Sequence, residues 1–357
     1  MGFLKAKTDY VQRGDAAFKP GPKYGHLSEP HPQAASIFSP MEEGMLAVWN
    51  SDMSMAELKE LFRTAPPALP EGCPEPGRDV AITYEKVRVR DGAEVEVKIW
   101  KSTTPRKNSA LVLRMHGGGW TVGAHESEEA ENRYLGALPN VVVVSVDYRM
   151  APEFPFPYAL NDSFDALKWC KLNASLLGIN TEKIIVAGCS AGGNLAATVA
   201  IMARDEGVTG IVGQVLSIPV MCHPKFFDRV PNKDEHELLS YTQNFDVPLV
   251  DALRMEFFWD CYVGADVRPD VLHSPLLSTN LRNLPPAVVL VAGMDPLRDE
   301  GIAYAHALRA AGVTADVHTY KGLPHGFYCA VGLPETAEYM KRVVDFVQKC
   351  AARDSRL

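Results

Sequence analysis

The sequence of 357 residues predicts an α/β protein with a mostly parallel, doubly wound sheet. Two observations predict this fold class. Short continuous apolar runs, typical of strands buried on both faces of a parallel sheet, recur along the chain, and helical stretches separate them. The runs are ALVLRM at 110–115, VVVVSVDY at 141–148, KIIVAG at 183–188, GQVLSIPV at 213–220 and AVVLVAG at 287–293.

Two amphipathic helices are predicted before the sheet. The stretches SPMEEGMLAVWN (39–50) and SDMSMAELKELF (51–62) each begin with a serine suited to cap a helix and carry Glu in or near the first turn. The proline-rich stretch at 65–77 predicts an extended connector. Beyond it, two stretches of alternating apolar and polar residues flank Asp91-Gly92, which predicts an antiparallel hairpin.

Residues 222–274 interrupt the alternation of strands and helices and are rich in aromatic side chains. A segment of this length in a compact domain is expected to contain helices of its own. We expect residues 1–79 and 222–274 to form a helical cap over the carboxyl ends of the strands, where ligands bind in open α/β sheets. The core then comprises residues 80–221 and 275–357.

The stretch VAGCSAGGN at 186–194 ends an apolar run and opens a predicted helix. Its Gly188-x-Ser190-x-Gly192 pattern fits a tight strand-to-helix turn that lifts the Ser190 hydroxyl clear of the sheet. Small neighbours are needed there because strand and helix crowd together. The alternative is a serine that only caps the helix. Cys189 is a weaker candidate nucleophile, because a side chain beside the tip of the turn points elsewhere.

A serine nucleophile needs a base and an orienting carboxylate, here in the chain order Ser, acid, His. Asp295 follows the apolar run at 287–293, and His325 follows the strand-like ADVHTY at 315–320. Both therefore fall at strand ends. Asp299 is the competing acid, but it falls in or at the cap of the next predicted helix. None of these residues has a His or Cys partner at the spacing of metal ligands.

Three consecutive glycines in MHGGGWTVG (115–123) suggest backbone amides that approach a ligand closely. Acyl transfer builds negative charge on a carbonyl oxygen, and amides held ready for that charge accelerate the reaction. We expect Gly117 and Gly118 to supply two such donors and Ala191 a third. The alternative, a phosphate cradle, lacks both the Lys-Ser/Thr pair and the G-x-G-x-x-G spacing.

Composition and charge argue against several classes of binding partner. A formal net charge of −8 argues against nucleic-acid binding, and no apolar run reaches the length of a membrane span. The seven cysteines are scattered without a CxxC pair, which favours free thiols over a disulfide framework or zinc knuckle. The tripeptide Ser355-Arg356-Leu357 resembles a peroxisomal address. The sequence therefore predicts a protein that is cytoplasmic, or peroxisomal through an import receptor for this tripeptide.

Five motifs together resemble the hormone-sensitive-lipase-like branch of the α/β-hydrolases, a group of carboxylesterases and lipases with an HGGG-type loop. In chain order they are HGGG at 116–119, DYRMAPE at 147–153, GCSAGGN at 188–194, DPLRDEG at 295–301 and HGF at 325–327. The resemblance implies a triad of Ser190, His325 and Asp295, backbone donors from Gly117, Gly118 and Ala191, a helical cap and no cofactor. Cys189 departs from the Asp or Thr frequent in relatives, so the subfamily stays open.

These features predict hydrolysis of a carboxylic ester of a small or medium apolar substrate through an acyl-enzyme. Apolar cap side chains are expected either to contact substrate or only to pack the cap on the core; they are Met41, Met45, Trp49, Phe226, Phe227 and Phe258. Other chemistry with the same site stays open, namely cyclisation, elimination or acyl transfer on a natural-product intermediate, and lactone or amide hydrolysis. A ligand-binding receptor without catalysis is disfavoured because all three triad residues are present.

Overall fold

The computed structural model describes residues 23–352 and contains one eight-stranded sheet. The strands are β1 Val80–Arg88, β2 Glu94–Ser102, β3 Ser109–Met115, β4 Val141–Asp147, β5 Ile179–Cys189, β6 Ile211–Ser217, β7 Ala287–Met294 and β8 Ala315–Pro324. Their spatial order is β1-β2-β4-β3-β5-β6-β7-β8. Strand β2 is antiparallel to both neighbours, and the other pairs are parallel. The predicted mostly parallel sheet is confirmed.

Helices cover both faces of this sheet. They are α1 Ala34–Trp49, α2 Met55–Thr64, α3 Glu129–Gly136, α4 Tyr158–Leu172, α5 Ala174–Leu177, α6 Ala191–Asp205, α7 Ser240–Gln243, α8 Ala252–Val263, α9 Arg298–Ala310 and α10 Pro334–Ala351. Alternate residues of a strand point to opposite faces. Accordingly Leu111 and Leu113 of β3 belong to one hydrophobic core, and Ala110 and Val112 to another. Two cores on two faces confirm the doubly wound architecture.

The two predicted N-terminal helices are present, but their first residues and caps differ from those predicted. Helix α2 follows a serine cap, but the cap is Ser54 and not Ser51, which begins the predicted stretch. The Ser54 hydroxyl accepts the Glu57 N–H at 3.3 Å, and the Glu57 carboxylate accepts the Ser54 N–H at 2.7 Å. Helix α1 instead begins at Ala34, ahead of the predicted Ser39 cap, and contains Pro40. Phe38 in this extra turn is fully buried. Its packing offsets the hydrogen bond that a proline removes from a helix.

The connector and the hairpin agree with prediction. Residues 65–77 form no helix and no strand beyond a single bridge at Pro76. Strands β1 and β2 pair around the turn at Asp91-Gly92, where Gly92 has a φ of +89° and the Val89 N–H donates to the Ala93 carbonyl at 2.9 Å. A left-handed φ of this kind is the reason for glycine in the turn.

Residues 222–274 contain the predicted helical structure in α7 and α8, together with short 3₁₀ turns at Pro224–Arg229 and Lys233–Glu235. Only α8, with 12 residues, is longer than six residues. Within residues 23–352, no helix is both long and apolar enough to span a membrane.

Candidate active site

Ser190 lies at the junction of β5 and α6 with a φ of +54° and a ψ of −119°. A non-glycine residue rarely adopts a positive φ, and the strain, of order 1–3 kcal/mol, persists only where the surroundings enforce it. The neighbouring glycines enforce it here: a Cβ on Gly188 would stand 2.0 Å from the Gly192 carbonyl oxygen. The Ser190 side chain makes no capping bond to α6, so the cap alternative does not describe this residue.

Ser190, His325 and Asp295 meet at the carboxyl ends of β5, β8 and β7. The Ser190 hydroxyl donates to His325 Nε2 at 2.9 Å, and His325 Nδ1–H donates to Asp295 Oδ2 at 2.7 Å. The other carboxylate oxygen, Oδ1, accepts the Leu297 N–H at 2.8 Å. The residues are 5%, 6% and 1% exposed respectively. A polar chain this well shielded keeps its geometry and can move a proton from hydroxyl to imidazole.

The two competing residues have other partners. Asp299 lies in α9, where its Oδ1 accepts the Arg298 Nε–H at 2.7 Å. Cys189 is fully buried and its thiol donates to the Tyr328 hydroxyl at 2.8 Å. Burial raises the pKa of this thiol well above its usual value, which disfavours the thiolate that a cysteine nucleophile needs.

The glycine loop after β3 corrects one predicted donor. The Gly117 N–H donates to the Glu128 carboxylate oxygen Oε1 at 3.0 Å, so it is already used within the protein. By contrast, the amides of Gly118, Gly119 and Ala191 make no hydrogen bond within the described chain. Two of the three predicted donors are therefore open, and Gly119, which the sequence interpretation omitted, joins them.

Close packing explains the remaining glycines of this loop. Gly118 has a φ of +113°, and a Cβ on it would stand 2.1 Å from the Val122 carbonyl oxygen. A Cβ on Gly119 would stand 2.2 Å from the Phe258 ring. His116 fixes the start of the loop, since its ring stacks on Tyr148 at 4.2 Å and its Nδ1–H donates to the Gly117 carbonyl at 2.7 Å. The loop cannot relax without losing these contacts.

A cavity of about 410 Å³ opens over Ser190 and His325. Four of the candidate substrate contacts, Met41, Met45 and Trp49 of α1 and Phe258 of α8, line it. Phe226 and Phe227 do not line it, which corrects the prediction. Their 3₁₀ turn packs elsewhere: the Phe226 ring lies 5.4 Å from His223, and the Phe227 ring lies 5.7 Å from Tyr241.

The cavity wall also contains residues that the sequence did not single out. Phe62, Leu249, Val250, Met255, Tyr328 and Cys329 are apolar or weakly polar members, and Glu126 and Glu128 are acidic ones. Tyr328 and Cys329 directly follow the HGF motif, and the acid-rich stretch HESEEAE at 125–131 follows the glycine loop. Proximity to these two motifs is the signal that could have identified four of them. No group of three or more potential ligands for a metal ion occurs within residues 23–352.

Two segments that line the cavity are joined by an ion pair. Arg254 of α8 is fully buried and donates from Nη2 to Glu42 Oε1 at 2.7 Å and from Nη1 to Glu42 Oε2 at 3.0 Å. Paired N–H donors of this kind fix the relative orientation of the two side chains as well as their distance. Helix α1 is thereby held against α8 above the cavity.

Glu128 is an acidic residue of the cavity wall whose surroundings are unusual for a charged group. It is 5% exposed, and its second oxygen, Oε2, has no hydrogen-bond partner among the described residues. The nearest cation, Arg114, is itself fully buried and pairs with Glu131. Burial raises the pKa of Glu128 to about 7, although Arg114 and the Gly117 N–H favour the charged form. The carboxyl therefore changes charge near neutral pH.

Glu128→Gln is expected to stabilise the protein at about pH 8 by on the order of 3 kcal/mol and much less at about pH 5. The folded wild type holds its proton up to about pH 7, whereas the ordinary pKa is 4.5. Rising pH through this window therefore destabilises the wild type and not the variant. Urea unfolding at both pH values measures the difference. Glu126→Gln, whose carboxylate pairs with Lys98 at 2.8 Å, should give no such pH-dependent gain; an equal gain at both pH values for Glu128→Gln would contradict the raised pKa.

Comparison with known proteins agrees with this architecture. The family model described as "alpha/beta hydrolase fold" matches residues 112–329. The chain is 34% identical over 292 residues to carboxylesterase NlhH of Mycobacterium tuberculosis, covering 80% of this chain and 85% of that protein. It is 34% identical over 295 residues to an arylesterase of Saccharolobus solfataricus, covering 82% and 88%.

Solved structures extend the similarity to three dimensions. One of two fungal esterases from Rhizomucor miehei is 30% identical and superposes with a TM-score of 0.77, covering 90% of this chain and 96% of that one. The family match spans more than half of the chain and falls on the strands, turns and loops that build the site. The chain therefore belongs to the α/β-hydrolase family, as its motifs predicted.

Proposed function

We propose that the protein is a serine carboxylesterase whose triad is Ser190, His325 and Asp295. The observation that carries this proposal is the pair of hydrogen bonds from Ser190 to His325 Nε2 at 2.9 Å and from His325 Nδ1 to Asp295 at 2.7 Å. The names of the relatives, which are carboxylesterases and esterases, support the same reaction.

The reaction begins when Ser190 Oγ attacks the ester carbonyl carbon and His325 Nε2 takes the hydroxyl proton. Asp295 holds the imidazole by its Nδ1–H and stabilises the imidazolium that forms. The carbonyl oxygen becomes an oxyanion, and the open amides of Gly118, Gly119 and Ala191 are the donors for it. His325 then gives its proton to the leaving alcohol, and a water molecule attacks the acyl-enzyme by the same steps to release the acid.

We propose a small or medium apolar ester as substrate. The cavity of about 410 Å³ lies within the usual size range for small-molecule sites, and its large apolar lining side chains are Met, Trp, Phe and Leu. Of the ranges predicted as cap and core, residues 23–79 and 222–274 are proposed as the cap and residues 80–221 and 275–352 as the core, because α1, α2 and α8 all contribute to the cavity wall. Residues 1–22 and 353–357 of these ranges lie outside the described residues. No observation favours cyclisation, elimination, acyl transfer, or lactone or amide hydrolysis over this reaction.

A fluorophosphonate probe is expected to label Ser190 alone and at one probe per chain. Such a probe reacts with a serine only where a base activates the hydroxyl and donors receive the phosphonyl oxygen. Peptide mapping by mass spectrometry locates the label. Ser163 is an internal control, because its buried hydroxyl donates to the Ala159 carbonyl inside α4 at 2.7 Å rather than to an imidazole. Absence of label, or label only on another serine, would refute the proposed nucleophile.

The C-terminal tripeptide Ser355-Arg356-Leu357 lies outside the described residues. Peroxisomal import through it stays a proposal that the sequence alone supports.

A further inference from the structure

Glu128 lies beside the proposed nucleophile, yet no step of ester hydrolysis uses it. Gly117 stands between the two residues: a Cβ on this glycine would lie 3.3 Å from Glu128 Oε1 and 3.7 Å from Ser190 Cβ. Glu128 and Ser190 both line the cavity. A buried carboxyl group therefore occupies the side of the site where the glycine loop offers its amides.

The surroundings of Glu128 supply one hydrogen bond and no direct counter-ion. Its Oε1 accepts the Gly117 N–H at 3.0 Å, and its Oε2 is buried without a partner. The Arg114 guanidinium is committed to Glu131, and no ion pair to Glu128 occurs within residues 23–352. An ionised Glu128 would thus place an unshielded negative charge next to the position where the oxyanion forms, in a region of low effective dielectric constant.

We propose that Glu128 is a positioning residue that holds the glycine loop by its bond to the Gly117 amide, and that the loop supports the reaction only while this carboxyl carries its proton. The inference rests on the proposed esterase function. Like-charge repulsion between a carboxylate and the oxyanion raises the barrier to attack, whereas an uncharged acid keeps the same bond to Gly117 without that repulsion. Ionisation simply releases the proton to solvent.

The other titratable groups around Glu128 are either paired with each other or have a pKa raised by burial. The groups that face it are Arg114, Glu131, Tyr148, Cys189, Tyr328 and Cys329. Arg114 and Glu131 neutralise each other. Burial raises the pKa of Tyr148, Cys189 and Tyr328 well above their usual values and that of Cys329 to about 12. A fall in rate above about pH 7 therefore reports Glu128 among this group.

The test is the pH dependence of kcat for a p-nitrophenyl ester, corrected for spontaneous hydrolysis, in the wild type and Glu128 variants. The wild-type kcat should fall by about 50-fold between pH 7 and pH 9 as a carboxyl with a pKa of about 7 loses its proton. Glu128→Gln should stay level, because the amide accepts the Gly117 N–H but cannot ionise. Glu128→Ala should lower kcat by about tenfold below pH 7, where the wild-type carboxyl is protonated, and should then stay level up to pH 9 because it has no group to ionise. Gln should restore the loss seen below pH 7. KM should change little in both variants.

Glu96→Gln is the control, since Glu96 of β2 also carries a carboxylate but pairs with Lys86 at 3.1 Å and does not line the cavity. It should keep the wild-type fall in rate. The inference is overturned if Glu128→Gln retains that fall, or if Glu128→Ala matches the wild type at every pH. Should Glu128→Ala not fold, the Gln profile alone decides. Failure of the esterase proposal is separate: the wild type would then lack ester turnover and fluorophosphonate labelling at any pH.

Discussion

Ser190→Ala is expected to lower kcat for a p-nitrophenyl ester by roughly 10⁴- to 10⁶-fold. The variant has no oxygen to form the acyl-enzyme, so turnover falls to the rate that amide donors and binding alone can give to attack by water. The fold should persist because Ser190 makes no capping bond to α6. Loss of a side-chain oxygen at a positive φ also removes no packing contact that the core requires. Stopped-flow kinetics and circular dichroism measure the two properties.

The control for this experiment is Ser163→Ala, which removes a buried hydroxyl that donates to the Ala159 carbonyl in α4. It lies outside the site and should keep wild-type kcat. If Ser190→Ala retained activity within tenfold of the wild type while folded, another group would have to be the nucleophile. A burst of p-nitrophenol at the start of the reaction, equal to the enzyme concentration, should be seen in the wild type and disappear in Ser190→Ala.

Asp295→Asn is expected to lower kcat by roughly 10⁴-fold with little change in structure. The reason lies in the second oxygen: Asp295 Oδ1 accepts the Leu297 N–H at 2.8 Å. An asparagine keeps that bond by placing its amide oxygen there, which turns the NH₂ group toward His325 Nδ1. The imidazole must then carry its proton on Nε2, where it cannot accept a proton from Ser190. Kinetics on a neutral ester measure the loss.

Asp299→Asn separates the two candidate acids. Asp299 bonds Arg298 and the Leu239 N–H at 2.9 Å rather than His325, so its loss should reduce stability and leave kcat per folded molecule within about tenfold of the wild type. A larger kcat loss for Asp299→Asn than for Asp295→Asn would reverse the assignment. The nuclear magnetic resonance of the His325 ring nitrogens should show the tautomer change in Asp295→Asn alone.

The fold was predictable because its signals are local. The runs of valine and leucine in β3, β4 and β7 and the Asp91-Gly92 turn are signals from residues adjacent in the chain. The start of α1 was not predictable in the same way. It depends on the burial of Phe38 in a core built from distant strands, and this packing outweighs the local preference of Ser39-Pro40 to begin a helix.

In the candidate site, too, residues marked by local sequence signals were predictable and residues placed by the path of the chain were not. Ser190, Asp295 and His325 could be located because each follows a strand, and parallel strands bring their carboxyl ends to one edge. The hydrogen-bond partner of the Gly117 amide could not be predicted, because it depends on the path by which the loop returns to Glu128. The prediction for Phe226 and Phe227 was wrong for a related reason. Many aromatic residues in an insertion indicate that it is buried, but they do not indicate which of its faces meets the cavity.

The pairing of Glu42 with Arg254 ties together positions 212 apart in the chain, and side chains from both helices face the same ligand space. In the proposed esterase, both helices therefore shape the wall that a substrate would meet. Substitutions in only one of the two helices could displace Glu42 from Arg254. The buried guanidinium of Arg254 would then lose its carboxylate partner. Libraries that vary both stretches while retaining this acid and base are the better starting point for new selectivity.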